Sequence, residues 1–211
     1  MNINTLHCGD TLQLLPQLDL TPNLAILHPP DISTVEKTKT DYFKFLEDVY
    51  LGVLNKLHDH GTLVSINTDR RSKGIMAKHY EIMKFMDGKA HLYDYKIWVK
   101  SLNTNLFVPT FAHILVYHKS KNGTCKRSKD YLPDVWQIKQ EKVKDYPGKD
   151  NFPSALVERL ILNLSNDGDL IFDPFIGSGT TAIVAKKHSR NYLGFDLESA
   201  YIKIASEALS T

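Results

Sequence analysis

Apolar positions along the chain fall into short continuous or alternating runs, separated by longer segments in which they recur with a period near 3.6. The short runs predict strands at residues 5–8, 23–27, 61–67, 91–99, 112–118, 169–172 and 192–195. The longer segments predict helices at 42–57, about 72–86, 154–165, 180–188 and 199–209. Such alternation implies an α/β fold, a mostly parallel seven-stranded sheet with helices on both faces. The rule breaks once: 91–99 and 112–118 are neighbouring strands with no helix between them, which predicts one antiparallel edge hairpin. Residues 119–151 hold Gly123, Pro133, Pro147 and Gly148 but no sustained period, and they read as a long loop.

Composition refines this picture only in places. At 211 residues, 42% hydrophobic and 24% charged, the chain is expected to form a single globular domain, 1–211. Its net charge of +2 says little about partners, but residues 119–149 carry nine Lys and Arg against four acids. That run is either a solvated loop or a surface for nucleic acid, with Lys126, Arg127 and Lys129 at its densest point. Cys8 and Cys125 have no CxxC or Cys/His spacing, so neither a disulfide framework nor a metal site is expected, and a reducing, cytoplasmic setting fits. A polar start, with Asn2, Asn4 and Thr5, and the lack of a long uncharged apolar run argue against secretion and membrane spanning.

The most informative stretch is Leu170 to Thr181, where an apolar strand ends in Asp173 and turns through Gly177 and Gly179 into a helix. That order brings backbone N–H groups against a ligand at the carboxyl end of the strand. Further on, Asn191 to Asp196 forms a second short strand ending in an acid, near the spacing at which a carboxylate meets ribose hydroxyls. The bland alternative is a tight turn shaped by the glycines, with Asp173 and Asp196 capping helices. The loop matches neither GxGxxG nor GxxxxGK[ST], so a dinucleotide or phosphate donor is not its best ligand.

Asp173-Pro-Phe-Ile-Gly-Ser-Gly-Thr-Thr181 resembles the DPFxGSGTT signature of the permuted, beta-type DNA amino-methyltransferases, which act on adenine N6 or cytosine N4. Residues 192–205 and the helix candidate beginning near Asn151 are similar to the family's flanking segments. The resemblance implies a Rossmann-like methyltransferase fold with S-adenosylmethionine as cofactor. It implies that Asp173, Phe175, Gly177, Ser178, Gly179 and Thr180 surround the methionine portion and that Asp196 takes the ribose hydroxyls. Asn151 and Phe152 would close the pocket from the other side, although Gly148-Lys149 stands where the family has His-Pro. Leu6 to Asp10 looks like the family's opening strand, with Asp10 on the adenine amino group; the alternative is an N-cap of the next helix. The permuted order puts a catalytic half at 1–118, the basic loop at 119–149 and a cofactor half at 150–211.

The same order calls for a [D/N/S]PP[Y/F/W] motif early in the chain, and His28-Pro29-Pro30-Asp31 stands there. In the family the first side chain accepts a hydrogen bond from the target amino group, the prolines fix a carbonyl aimed at it, and the aromatic stacks on the flipped base. A neutral imidazole at His28 can accept one such bond and would make activity depend on pH. Asp31 cannot stack, which costs roughly 1–3 kcal/mol of base binding unless a neighbour such as Tyr42 or Phe43 supplies the contact. Two functions follow: methyl transfer to a DNA base, with Asp31 or His28 as the acceptor, or a cofactor-binding but silent homologue that binds nucleic acid or supports a partner. With only loops 32–41 and 119–149 available for recognition, sequence specificity is expected to be short or loose, or supplied by a second copy or partner subunit.

Overall fold

The computed structural model describes residues 1–35, 37–71, 74–100, 109–141 and 152–210. Its centre is built where the sequence is apolar without interruption. All four residues of β2 (Leu24–Leu27) and all six of β3 (Thr62–Asn67) are buried, as interior parallel strands covered on both faces require. Strand alternation divides them: Ala25 and Leu27 enter one core with Leu63, while Leu24 and Ile26 enter the other with Val64 and Ile66. Beside them lie β1 (Thr5–Cys8), β6 (His91–Val99), β7 (Phe111–His118), β8 (Val135–Gln137), β9 (Leu170–Asp173) and β10 (Asn191–Asp196). They form one sheet in the order β1-β10-β9-β2-β3-β7-β6-β8, in which β7 alone runs against its neighbours.

The first core lies under α2 (Lys39–Lys56), which buries Tyr42, Leu46, Val49, Tyr50, Val53 and Leu54, a helical stripe against the sheet. Thr38 caps this helix, its hydroxyl oxygen accepting from the Asp41 N–H at 3.2 Å. The opposite core lies under α4 (Ser154–Leu164), with Leu156, Val157, Leu160, Ile161 and Leu164 buried. Three further helices complete the layers: α1 (Thr11–Leu14), α5 (Thr180–Lys187) between β9 and β10, and α6 (Ser199–Ser210).

Two expectations are corrected here. The sheet has eight strands rather than seven, because β8 arises inside the stretch expected to be loop and pairs in parallel with β6. Its anchor is Trp136, buried, with its indole N–H donating to the Pro133 carbonyl at 2.7 Å and Arg159 4.9 Å over its ring. The helix expected over 72–86 forms only at α3 (Lys78–Met86), because Gly74 sits at φ +119° and a two-strand hairpin, β4 (Arg70–Arg71) with β5 (Ile75–Met76), occupies the start.

Candidate active site

Parallel strands end on one side of the sheet, and the chain places its acids and its unusual tetrapeptide there in a row. Asp10 follows β1, Asp196 ends β10, Asp173 ends β9, His28 follows β2, and Asp69 lies two residues beyond β3. This is the crevice at the carboxyl ends of strands where open α/β sheets bind ligands. Register ties the row together: Cys8 pairs with Asp196, and Gly194 with Asp173.

Asp173 is buried, its two oxygens accepting from the Phe175 N–H at 2.9 Å and the Thr181 hydroxyl at 2.6 Å. Burial, reinforced by the neighbouring Asp196 charge, raises its carboxyl to about 7 against two opposing hydrogen bonds. Asp196 is raised too, chiefly by burial, while the N–H groups of Glu198 and Gly177, both at 2.9 Å, favour its ionised form. Two carboxyls resisting ionisation side by side form a site that a cation would relieve. Asp10 accepts from the Leu12 and Gln13 N–H groups at 2.7 and 3.4 Å, so it caps α1.

The two glycines of the turn have structural tasks of their own. Gly177 sits at φ +53° and gives its N–H to Asp196. Gly179 sits at φ +86°, and a Cβ there would lie 2.7 Å from the Ala205 Cβ, so close packing of α6 excludes a side chain. Ser178 and Thr180 are buried, their hydroxyl oxygens 3.3 Å apart, and Phe175 meets Phe45 at a 6.2 Å ring separation. Phe152 is buried in the core under α4, while Asn151 lies outside the described residues.

The tetrapeptide is divided in its duties. The His28 ring lies 4.4 Å from that of Phe152, which in turn meets Trp98 edge-on at 5.8 Å. Asp31 caps a short 3-10 turn, Ile32–Thr34, accepting from the N–H and hydroxyl of Ser33 at 3.0 and 2.8 Å. Its other oxygen is 3.1 Å from the buried Lys78 ammonium, and Arg70 approaches to 3.6 Å. Burial opposes ionisation of Asp31, but the Ser33 N–H and Lys78 outweigh it and hold the carboxyl below the usual range. Tyr42 is not a stacking platform: it is fully buried, and its hydroxyl donates to the Pro30 carbonyl at 2.8 Å, bracing the motif from below. Phe43 is half-buried beside it, with the rings 5.6 Å apart.

Sequence reasoning missed Arg70 and Lys78, because only the β4–β5 hairpin and the start of α3 bring them to Asp31. A lysine at the first position of a helix has no local pattern that marks it as buried; its partner lies 47 residues away. Lys126, Arg127 and Lys129 are exposed but sit toward the opposite end of the strands, near the start of β6 and the end of α4. Lys126 and Ser128 give their N–H groups to Asn163 near the end of α4, and Arg127 donates to the Tyr93 hydroxyl at 2.7 Å near the start of β6. Among the described residues no helix is long and apolar enough to cross a membrane.

Comparison with known proteins places this geometry. Residues 23–207 match the model of a family described as DNA methylase. The chain is 27% identical to Type II methyltransferase M1.MboII of Moraxella bovis, over 100% of this chain and 98% of that protein. A more local match to Type II methyltransferase M2.DpnII of Streptococcus pneumoniae is 44% identical over 81 residues, 37% of this chain and 30% of that one. PvuII DNA methyltransferase, cytosine-N4-specific, superposes with a TM-score of 0.84 at 19% identity, over 99% of this chain and 86% of that chain. M1.HpyAVI in its S-adenosylmethionine complex superposes with a TM-score of 0.77 at 21% identity, over 98% and 99%. At such identities the two structures speak to the fold alone.

Proposed function

Because the chain belongs to the N6/N4 DNA methylase family, whose members methylate an exocyclic amino group of a DNA base with S-adenosylmethionine, we propose that His28 is the hydrogen-bond acceptor for that amino group. The observation that supports this reading is the division within the tetrapeptide. The Asp31 carboxylate is directed to Ser33, Lys78 and Arg70, and the His28 ring stands at the carboxyl end of β2 against Phe152, in the row of strand ends that carries Asp173 and Asp196. The Pro29 carbonyl, in the rigid Pro-Pro segment, is the second acceptor, and Tyr42 holds that segment in place through Pro30.

The residues present fit the cofactor. Asp173 and Asp196 resist ionisation together, and a ligand carrying an ammonium and a sulfonium offsets that repulsion. When bound, the cofactor supplies an electrophilic methyl group on sulfur. Asp173 and the turn through Phe175, Gly177, Ser178, Gly179 and Thr180 would hold its amino-acid end, Asp196 its ribose, and Asp10, through the carboxylate oxygen not engaged in capping α1, its adenine, with Phe152 on the other side. Lys126, Arg127 and Lys129 serve DNA phosphates remote from the target base, and a second copy or partner subunit completes sequence recognition.

The test measures transfer of labelled methyl to DNA alongside calorimetric binding of S-adenosylmethionine. His28→Ala is expected to cut turnover about 100-fold, the scale of one positioned proton-handling group, with cofactor affinity unchanged. Asp31→Asn is expected to act mainly through stability, by loosening Lys78 and Arg70. Full turnover in His28→Ala would move the acceptor elsewhere, and a wild type that binds cofactor without transferring methyl would be the silent homologue.

A further inference from the structure

Asp69, His79 and His113 come from three elements and meet at one point. Asp69 follows β3, His79 is the second residue of α3, and His113 is the third residue of β7, in register with Asn67. One oxygen of Asp69 lies 2.8 Å from His79 Nδ1 and 3.4 Å from His113 Nε2, and the three groups offer ligand atoms all within 4.8 Å of one another. The two imidazoles are stacked, with centroids 3.8 Å apart and planes 19° apart.

We propose that Asp69, His79 and His113 form a binding site for a divalent transition cation of the zinc type, using one carboxylate oxygen and two imidazole nitrogens. His113 is 6% exposed, and its Nε2 makes no well-aligned hydrogen bond among the described residues, its polar neighbour in the cluster being the Asp69 oxygen at 3.4 Å. An enclosed nitrogen so weakly satisfied is costly, and a metal bond shared with that oxygen removes the cost. The opposite ring nitrogen, Nδ1, lies 2.5 Å from the Tyr95 hydroxyl, an outer contact that orients the ring; where the hydroxyl accepts from Nδ1–H, Nε2 is left unprotonated to ligate. Bonds of about 2.1 Å to a tetrahedral zinc put ligand atoms about 3.4 Å apart, the scale of the separations here. Two nitrogens and one oxygen suit zinc and its first-row neighbours better than magnesium or calcium, and three protein ligands leave room for water.

The site's position says what it would do. Arg70 and Lys78 are the immediate neighbours of Asp69 and His79, and both reach Asp31 of the tetrapeptide. A cation joining β3, β7 and the start of α3 would clamp both ends of the hairpin segment that carries those two basic groups. Occupancy therefore sets how firmly Asp31 is held, without the metal touching the target base.

Full-length, tag-free protein, stripped with a chelator and dialysed, is titrated with zinc by calorimetry, and with cobalt by visible absorption. One cation per chain is expected, with a rise in melting temperature and a cobalt spectrum of nitrogen and oxygen ligation. Asp69→Asn and His79→Ala, at partly exposed positions that leave the core intact, are each expected to weaken zinc at least tenfold and abolish that thermal shift. His58→Ala with His60→Ala, a surface pair elsewhere, is expected to change neither. Wild-type affinity and stoichiometry in folded Asp69→Asn and His79→Ala, or no zinc bound by wild type, would overturn the proposal. Because binding is read without DNA or cofactor, its failure is distinct from failure of the His28 assignment.

Discussion

Replacing Asp173 by Asn tests the electrostatics of the cofactor end most directly. The folded carboxyl titrates near 7 against an ordinary 3.8, because burial and then Asp196 outweigh its two hydrogen bonds. A folded value raised above the unfolded one means that the stabilising contribution is complete below about pH 4 and is lost as pH rises through 7. That gap corresponds to about 4 kcal/mol in all at 1.36 kcal/mol per pH unit, of which about 2–3 kcal/mol falls between pH 5 and 8.5. Asparagine keeps an acceptor for the Phe175 N–H, and its amide N–H can donate to the Thr181 hydroxyl oxygen in a reversed bond, so little else changes. The difference in stability between Asp173→Asn and wild type, from urea denaturation, should therefore shift in favour of the variant by about 2–3 kcal/mol from pH 5 to 8.5, or roughly 5–10 °C in melting temperature for a domain of this size. The cofactor's cationic groups favour the ionised carboxyl, so wild-type affinity for S-adenosylmethionine should increase from pH 5 to 7.5, and the variant should bind weakly without that trend. A stability gap constant within about 0.5 kcal/mol across the range would refute the reasoning.

Asp196→Ala removes the acceptor of the Gly177 N–H as well as the proposed ribose contact, so cofactor binding should weaken by tenfold or more in calorimetry while the far-UV spectrum stays that of the wild type. Neutralising Lys126, Arg127 and Lys129 together should lower DNA affinity equally for all sequences and reduce its salt dependence by up to three phosphate contacts. Their place toward the opposite end of the strands from the tetrapeptide means turnover at saturating DNA should not change, and a fall there would put these residues near the reacting base.

The parts legible in the sequence were those whose signals are local. Seven strand segments are apolar enough to be recognised singly, and the run from Leu170 to Thr181 carries strand, acid, turn and helix in twelve residues. β8 escaped because three residues with one buried side chain make no periodic signal; Trp136 is fixed by β6 and Arg159, neither of them near in sequence. The helix over 72–86 was overextended because the apolar spacing tolerated Gly74, whose φ of +119° no helix accommodates. Asp31 read as a lost aromatic; its service as an anchor for Lys78 depends on a hairpin that exists only in three dimensions. Asp69, His79 and His113 have no ligand spacing because a strand end, a helix start and a reversed strand supply one residue each.

The short β8 has a consequence for how this chain keeps to itself. Without it, the last residues of β6 would present a row of unsatisfied backbone groups, an open template for a strand from another molecule. β8 closes that row through Ile97, Trp98 and Val99, and its own outer face is only three residues long, with Pro133 before it and Lys139 after it. A three-residue strand with Pro133 and Asp134 before it and Lys139 after it thus stands where a strand from another molecule would otherwise add, flanked by the residue types that discourage such pairing.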